Sequence, residues 1–194
     1  MASSFDSIKF FANFPILDCG LVKLRSLQLS DSEDYFKLLA APEVNQYLSD
    51  EDIPQNILQA ADEIRFWAGL FEKKQSIFWA IATPKEDKLI GTIGFNSFNI
   101  HNRRAEISYE LSHHFWRRGI MSKVLSKILN FAFSEMHINR IEAKTMIDNL
   151  PSQKLLDKVG FLKEGTAREY RIIRGIPVDV ALYSLLAKDF YCIS

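Results

Sequence analysis

The stretch that decides the fold begins Arg104-Ala105-Glu106-Ile107-Ser108-Tyr109-Glu110-Leu111 and continues Ser112-His113-His114-Phe115-Trp116-Arg117-Arg118-Gly119-Ile120-Met121-Ser122. Its first eight residues alternate as a strand does, with Glu106, Ser108 and Glu110 on one face and Ile107 and Tyr109 on the other. From Met121 the period changes. Met121, Val124, Leu125, Ile128, Leu129, Ala132 and Phe133 follow the three-and-four spacing of a helix with one buried stripe. A strand, a glycine-bearing loop and a helix N-terminus together can hold a phosphate. The first-turn N–H groups have no partner inside the helix, and the helix dipole favours an anion. Arg117 and Arg118 add positive charge there. Alone, the same pattern equally describes a connecting turn, so the rest of the chain has to decide.

Before this stretch, residues 21–29 alternate as a strand. Ser30 or Asp31 is placed to cap a helix that ends at Pro42, and residues 44–48 form a short second piece. An acidic loop, Ser49-Asp50-Glu51-Asp52, follows. Pro54 is expected to open a longer helix carrying Ile57, Ala61, Ile64, Trp67, Ala68 and Phe71. Strands are expected at 76–83, 88–98 and 104–111. Their short connections make them antiparallel neighbours.

After the long helix, residues 140–147 read as a strand. Asn149 caps a short helix with Pro151 in its first turn, and Gly160 closes it in the left-handed conformation. Two last strands, 166–173 and 178–186, are joined by a turn at Arg174-Gly175. The expected fold is α/β (α+β): a three-layer sandwich with a mixed, mostly antiparallel sheet of six to seven strands and helices on both faces. Residues 1–20 are the least patterned and read as an extension packed on a single domain at 21–191.

With 194 residues the length is that of one domain, large enough to bury about 70% of its unfolded surface without staples. Lys plus Arg (24) balances Asp plus Glu (24), which argues against a domain whose task is coating DNA or RNA. Cys19 and Cys192 are too few for a disulfide framework and lack metal-ligand spacing. Residues 1–9 show no basic start leading into an apolar run, and no apolar run reaches the roughly 18 residues of a spanning helix. A cytoplasmic setting without membrane contact is the expectation.

Phosphate-loop, HExxH, GxSxG and paired CxxC signatures are absent from the sequence. His113-His114 reads as a loop pair rather than a metal site. Asp50-Glu51-Asp52 lacks the alternation of a calcium loop, leaving a solvated loop or a contact for a cationic substrate. No metal is expected.

Four blocks in order nevertheless resemble one family. Trp116-Arg117-Arg118-Gly119-Ile120-Met121 resembles the acetyl-CoA pyrophosphate loop of the GCN5-related N-acetyltransferases. Leu89-Ile90-Gly91-Thr92-Ile93-Gly94-Phe95 resembles their central strand, and Ala105 to Leu111 the strand before the loop. Asn149-Leu150-Pro151-Ser152-Gln153-Lys154-Leu155-Leu156-Asp157-Lys158-Val159-Gly160-Phe161 resembles their NxxSxxLLxxxGF block. The tail Lys163-Glu164-Gly165-Thr166-Ala167-Arg168-Glu169, with Asp179 and Tyr183, looks most like the Rim-type branch, which acts on N-termini of ribosomal proteins. The loop departs from the common pattern at Trp116 and Met121, and Rim-type loops often carry Gly where this chain has Arg117.

The resemblance implies acetyl-CoA as cosubstrate. It implies contacts from Leu111, Arg117, Arg118, Gly119, Ile120, Met121 and Ser122 around the pyrophosphate, and from Asn149 and Ser152 near the thioester. It also implies that the strands at 104–111 and 140–147 are parallel and splayed, so that the pantetheine arm lies between them like an added strand. The acceptor would be an amine: a protein or peptide N-terminus, or a small amine such as an amino sugar, a polyamine or an antibiotic. A non-catalytic CoA-binding or protein-interaction module is the reading from another class; the protein is expected to be a monomer or homodimer.

Glu169 and Glu106 are the candidate bases, with Glu169 preferred on the Rim-type match. Each has a plain structural alternative. Glu106 can pair with Arg103 or Arg104, and Glu169 with Arg168 or Arg171. Ser152 is either a hydrogen-bond donor to the thioester sulfur or a first-turn cap. Tyr109 is a pocket candidate or core.

Overall fold

The computed structural model describes residues 11–193. Its elements are β1 (Leu17–Asp18), β2 (Lys23–Ser26), α1 (Ser32–Ala40), α2 (Pro42–Asn45), α3 (Ile57–Glu72), β3 (Ile77–Ala82), β4 (Leu89–Asn99), β5 (Arg104–Leu111), α4 (Ile120–Ser134), β6 (Arg140–Met146), α5 (Leu150–Lys158), β7 (Leu162–Ile173), β8 (Ile176–Leu186) and α6 (Ala187–Ile193). Alternation along β3 divides its apolar side chains between two layers. Ile77, Trp79 and Ile81 join Val124, Leu125, Ile128 and Leu129 of α4 and Leu156 of α5. Phe78 and Ala80 face the other way, onto Tyr35, Leu38 and Leu39 of α1 and Ala60 and Ile64 of α3. Helices therefore cover both faces of one sheet, as expected.

The sheet has eight strands in the order β1-β2-β3-β4-β5-β6-β8-β7. The six to seven expected strands are joined by the two-residue edge strand β1, where Leu17 pairs with Leu24. β1 belongs to the segment read as an extension. Phe11 of that segment is buried against Phe71, and Trp79 donates its indole N–H to the Pro15 carbonyl at 2.7 Å. The first ten residues of the expected extension lie outside the described residues.

Two other boundaries move. The helix expected at Pro54 begins at Ile57, because the Asn56 side chain accepts the Gln59 N–H at 3.0 Å and so caps it. β7 starts at Leu162 rather than 166. Register shifts after Lys163 and Ala167 mark bulges that break its alternation and hide the strand from periodicity.

β5 and β6 form the only parallel pair among the described strands, and their pairing stops early. It runs from Arg104↔Arg140 to Ile107↔Ala143, whereas β5 continues to Leu111 and β6 to Met146. The strands splay there and leave main-chain edges without a sheet partner between them.

One polar anchor sits at the far end of the sheet. The Arg25 guanidinium donates to both oxygens of Asp31 at 2.7 and 2.8 Å, and Nε donates to Asp87 at 2.7 Å; Arg25 and Asp31 are each only 5% exposed. Removing one partner strands the other charge in the interior, at a cost of about 3–5 kcal/mol. Arg25→Ala is therefore expected to lower unfolding stability by that order in urea titrations. Arg65→Ala, which breaks the exposed Arg65–Asp62 pair, should change it by less than about 1 kcal/mol.

Candidate active site

A cleft of about 710 Å³ opens at the β5/β6 splay. Strand alternation gives β5 two working sides there. Ile107 and Leu111 pack with α4 on one face, and Tyr109 packs beside them. Glu106, Ser108 and Glu110 line the cleft from the opposite face, the one covered by α1 and α3 nearer the N-terminus. Val44, Tyr47 and Leu48 border the cleft on that side.

The cofactor side is built by the loop after β5. Trp116 donates its indole N–H to the Leu111 carbonyl at 2.7 Å, so the bulky residue at the loop's first position ties it back to its own strand. Arg117 (φ 58°) and Gly119 (φ 71°) both adopt left-handed backbone. That conformation explains a preference for glycine at either place. Gly119 is the N-cap of α4 and offers no side chain to the first-turn N–H groups; a Cβ built on it would meet nothing within 4 Å. The loop thus presents bare donors and open space, which suits a pyrophosphate. Lys154 and Lys158 of α5 line the same cleft and bring positive charge. Met121, the departure at the loop's last position, is buried in the α4 stripe.

Leu111, Arg117, Gly119, Ile120, Met121, Ser122, Asn149, Ser152 and Glu106 all line this one cleft; Arg118 and Glu169 do not. Arg118 instead sits over the Phe115 ring at 5.3 Å. Glu169 is exposed in the second β7 bulge, with φ 49° and its N–H donated to Asp179 at 2.8 Å. The structure therefore does not bring the preferred base to the site. Glu106 is there, but its partner is neither Arg103 nor Arg104. Lys144 Nζ donates to it at 2.8 Å, while Arg104 lies 3.8 Å from Glu142. Parallel pairing sets Glu106 opposite Glu142 and brings Lys144 alongside, a neighbour 38 residues away that local spacing cannot reveal.

Ser152 is the residue that is capped, not the cap, and its hydroxyl faces the cleft beside Tyr109. Its N–H donates to Asn149 Oδ1 at 3.1 Å, making Asn149 the α5 cap, and its hydroxyl is 2.9 Å from the Tyr109 hydroxyl. Burial pushes the Tyr109 phenol up to about 12, so it holds its proton at neutral pH.

The group that sequence reading missed is Glu110. Thr92 Oγ1 donates to its carboxylate at 2.6 Å, across the β4–β5 pair in which these residues face each other. Desolvation in the cleft wall pushes its carboxyl up to about 7, from an ordinary value near 4.5; the fields of Asp52 and Glu63 add to this, while the Thr92 bond and Arg171 oppose it. The signal available in sequence was weak. Glu110 shares a face with Glu106 and both are half-buried; their partners tell them apart, Lys144 for Glu106 and Thr92 for Glu110. Among the described residues no group of three His, Cys, Asp or Glu side chains could hold a metal, and no helix is long and apolar enough to cross a membrane.

Residues 22–162 match the family model described as an acetyltransferase (GNAT) domain. The chain is 39% identical over 173 residues to the uncharacterized N-acetyltransferase YoaA of Bacillus subtilis (strain 168), covering 89% of this chain and 97% of that protein. It is 32% identical over 100 residues to the ribosomal-protein-serine acetyltransferase of Escherichia coli (strain K12), covering 52% of this chain and 56% of that one. Its fold superposes with a TM-score of 0.80 at 22% identity on an apo crystal structure of RimL, a ribosomal L7/L12 α-N-protein acetyltransferase, over 89% of this chain and 94% of that chain. The splayed strands, the uncapped helix terminus and the matched domain agree, and the chain belongs to the GNAT family of N-acetyltransferases, with acetyl-CoA as its cosubstrate.

Proposed function

We propose that the protein transfers an acetyl group to an α-amine, as at a protein or peptide N-terminus, and that Glu110 is its general base. The observation that carries this reading is the position of Glu110 on the α1/α3 face of β5, in the same cleft as the Tyr109–Ser152 pair and the Gly119 loop. Acetyl-CoA supplies an activated thioester. Gly119, Ile120, Met121 and Ser122 offer first-turn N–H groups to its pyrophosphate, and the open edges of β5 and β6 offer main-chain partners to its arm. The amine enters from the opposite face.

The proton balance assigns the remaining roles. A C–N bond replaces a C–S bond, and an α-ammonium loses two protons on the way to the amide. Glu110, at about 7, takes the first before attack, and the second, released as the C–N bond forms, balances the one taken up by the departing thiolate. An α-ammonium has a pKa of roughly 7.7–8.0, so the transfer is nearly level; lysine at roughly 10.4 would leave it steeply uphill. This match supports an α-amine over a lysine side chain. The Ser152 hydroxyl, backed by the protonated Tyr109, donates toward sulfur. Similarity to the ribosomal-protein-serine acetyltransferase over about half the chain supports a protein N-terminus as acceptor.

The test is a peptide panel with acetyl-CoA, read by mass spectrometry. Free N-termini are expected to gain one acetyl on the α-nitrogen, and N-acetylated versions to be inert. Acetyl groups found on lysine alone would sink this reading.

A further inference from the structure

On the α1/α3 face, β5, β6 and β7 present cations to or beside the cleft, and most are already matched. Arg140 donates to Glu142 at 2.8 Å and forks onto Glu164 at 2.8 and 2.6 Å. Arg104 lies 3.8 Å from Glu142. Lys144 is held by Glu106 and by the Tyr170 hydroxyl, each at 2.8 Å. Arg171 differs. It lines the cleft and is partly buried, yet among the described residues no carboxylate stands within ion-pair distance of it. The β7 bulge gives it that place. Pairing jumps from Ala167↔Val180 to Arg171↔Val178, so four residues of β7 span two of β8. Glu169 takes up the left-handed backbone and points to solvent, Tyr170 reaches Lys144, and Arg171 returns to the pleat at the cleft wall. Bulges beside active sites re-aim side chains in this way.

We propose that Arg171 recognises a carboxylate carried by the acceptor itself, which deepens and rests on the α-amine reading above. A guanidinium presents a planar fork that fits a carboxylate, and one left without a carboxylate partner in a binding cleft is suited to supplying that fork to a ligand. Arg171 and Glu110 share the compartment, so an ammonium at Glu110 and an anion at Arg171 belong to one molecule. A single carboxylate beside an amine is nearly neutral and suits one arginine. The acceptor is therefore a peptide α-amine whose second or third residue is acidic.

The test compares kcat/KM at saturating acetyl-CoA for peptides beginning Ala-Glu, Ala-Gln and Ala-Lys. A charge-assisted bond predicts that Ala-Glu is favoured over Ala-Gln by roughly 10- to 100-fold. Arg171→Gln should collapse that ratio toward one, chiefly through KM. Arg171→Lys should retain part of it, and Arg171→Glu should turn the preference toward Ala-Lys. Arg168→Glu, an exposed charge on the same strand and outside the cleft, should keep the wild-type ratio. Calorimetry should find acetyl-CoA affinity unchanged in Arg171→Gln. Three results would overturn the proposal: wild-type rates indifferent to the carboxylate, a ratio that survives Arg171→Gln, or a loss of acetyl-CoA affinity that returns Arg171 to the cofactor side. Acetylation of α-amines without charge preference would leave the α-amine reading standing; no α-amine acetylated in the panel would remove both.

Discussion

Glu110→Gln is expected to lower kcat by about 10²- to 10⁴-fold at pH 7, the usual contribution of a general base. The amide keeps an oxygen that accepts from Thr92 Oγ1, so the wall geometry is preserved. In the wild type, kcat/KM should rise with pH through about 7 as Glu110 loses its proton. The variant should lack that limb. Its deficit should shrink above the amine's own pKa of roughly 8, where neutral amine is abundant without help. Stability supplies an independent readout. The folded-state carboxyl titrates above its ordinary value near 4.5, so the folded protein binds more protons than the unfolded chain up to about 7. Wild-type stability should therefore fall as pH rises across that interval. Glu110→Gln removes this slope, and its Tm relative to wild type should climb between pH 4.5 and 7. A pH–rate profile that overlays the wild type would show that Glu110 is not the base.

Gly119→Glu is expected to weaken acetyl-CoA binding by at least about 100-fold in calorimetry, two factors of ten at about 1.4 kcal/mol each. Two causes combine. Any L side chain at φ 71° pays left-handed strain of about 1–2 kcal/mol, and a carboxylate at the α4 N-terminus competes with the pyrophosphate for the same N–H donors. Gly119→Ala separates them. It carries the strain without the charge and should bind far better than the glutamate variant. No clash is expected in either, because space beyond the missing Cβ is open. Full affinity in a folded Gly119→Glu protein would remove this loop from the site.

The Rim-like block favours Glu169 as base, whereas the β7 bulge leaves it exposed and off the cleft lining. The same bulge carries Arg171 to the cleft, and nothing in the local sequence distinguishes the two outcomes. Glu106 and Glu110 share a face and lie two repeats of the pleat apart. Lys144 neutralises the first; Thr92 and desolvation govern the second.

The order of elements was legible in the chain, because period-two alternation, the α4 stripe and local caps at Asn149 and Gly160 are properties of neighbouring residues. So was the phosphate-holding loop, whose glycine, helix start and flanking strand lie within 20 residues. What only the tertiary structure decided is which charges are free to react. That depends on partners 18 to 38 residues away, such as Thr92 for Glu110 and Lys144 for Glu106. It depends also on how far β5 and β6 pair before they part. Burial and long-range pairing set a carboxylate's proton affinity, and both are created by the sheet rather than by the residue.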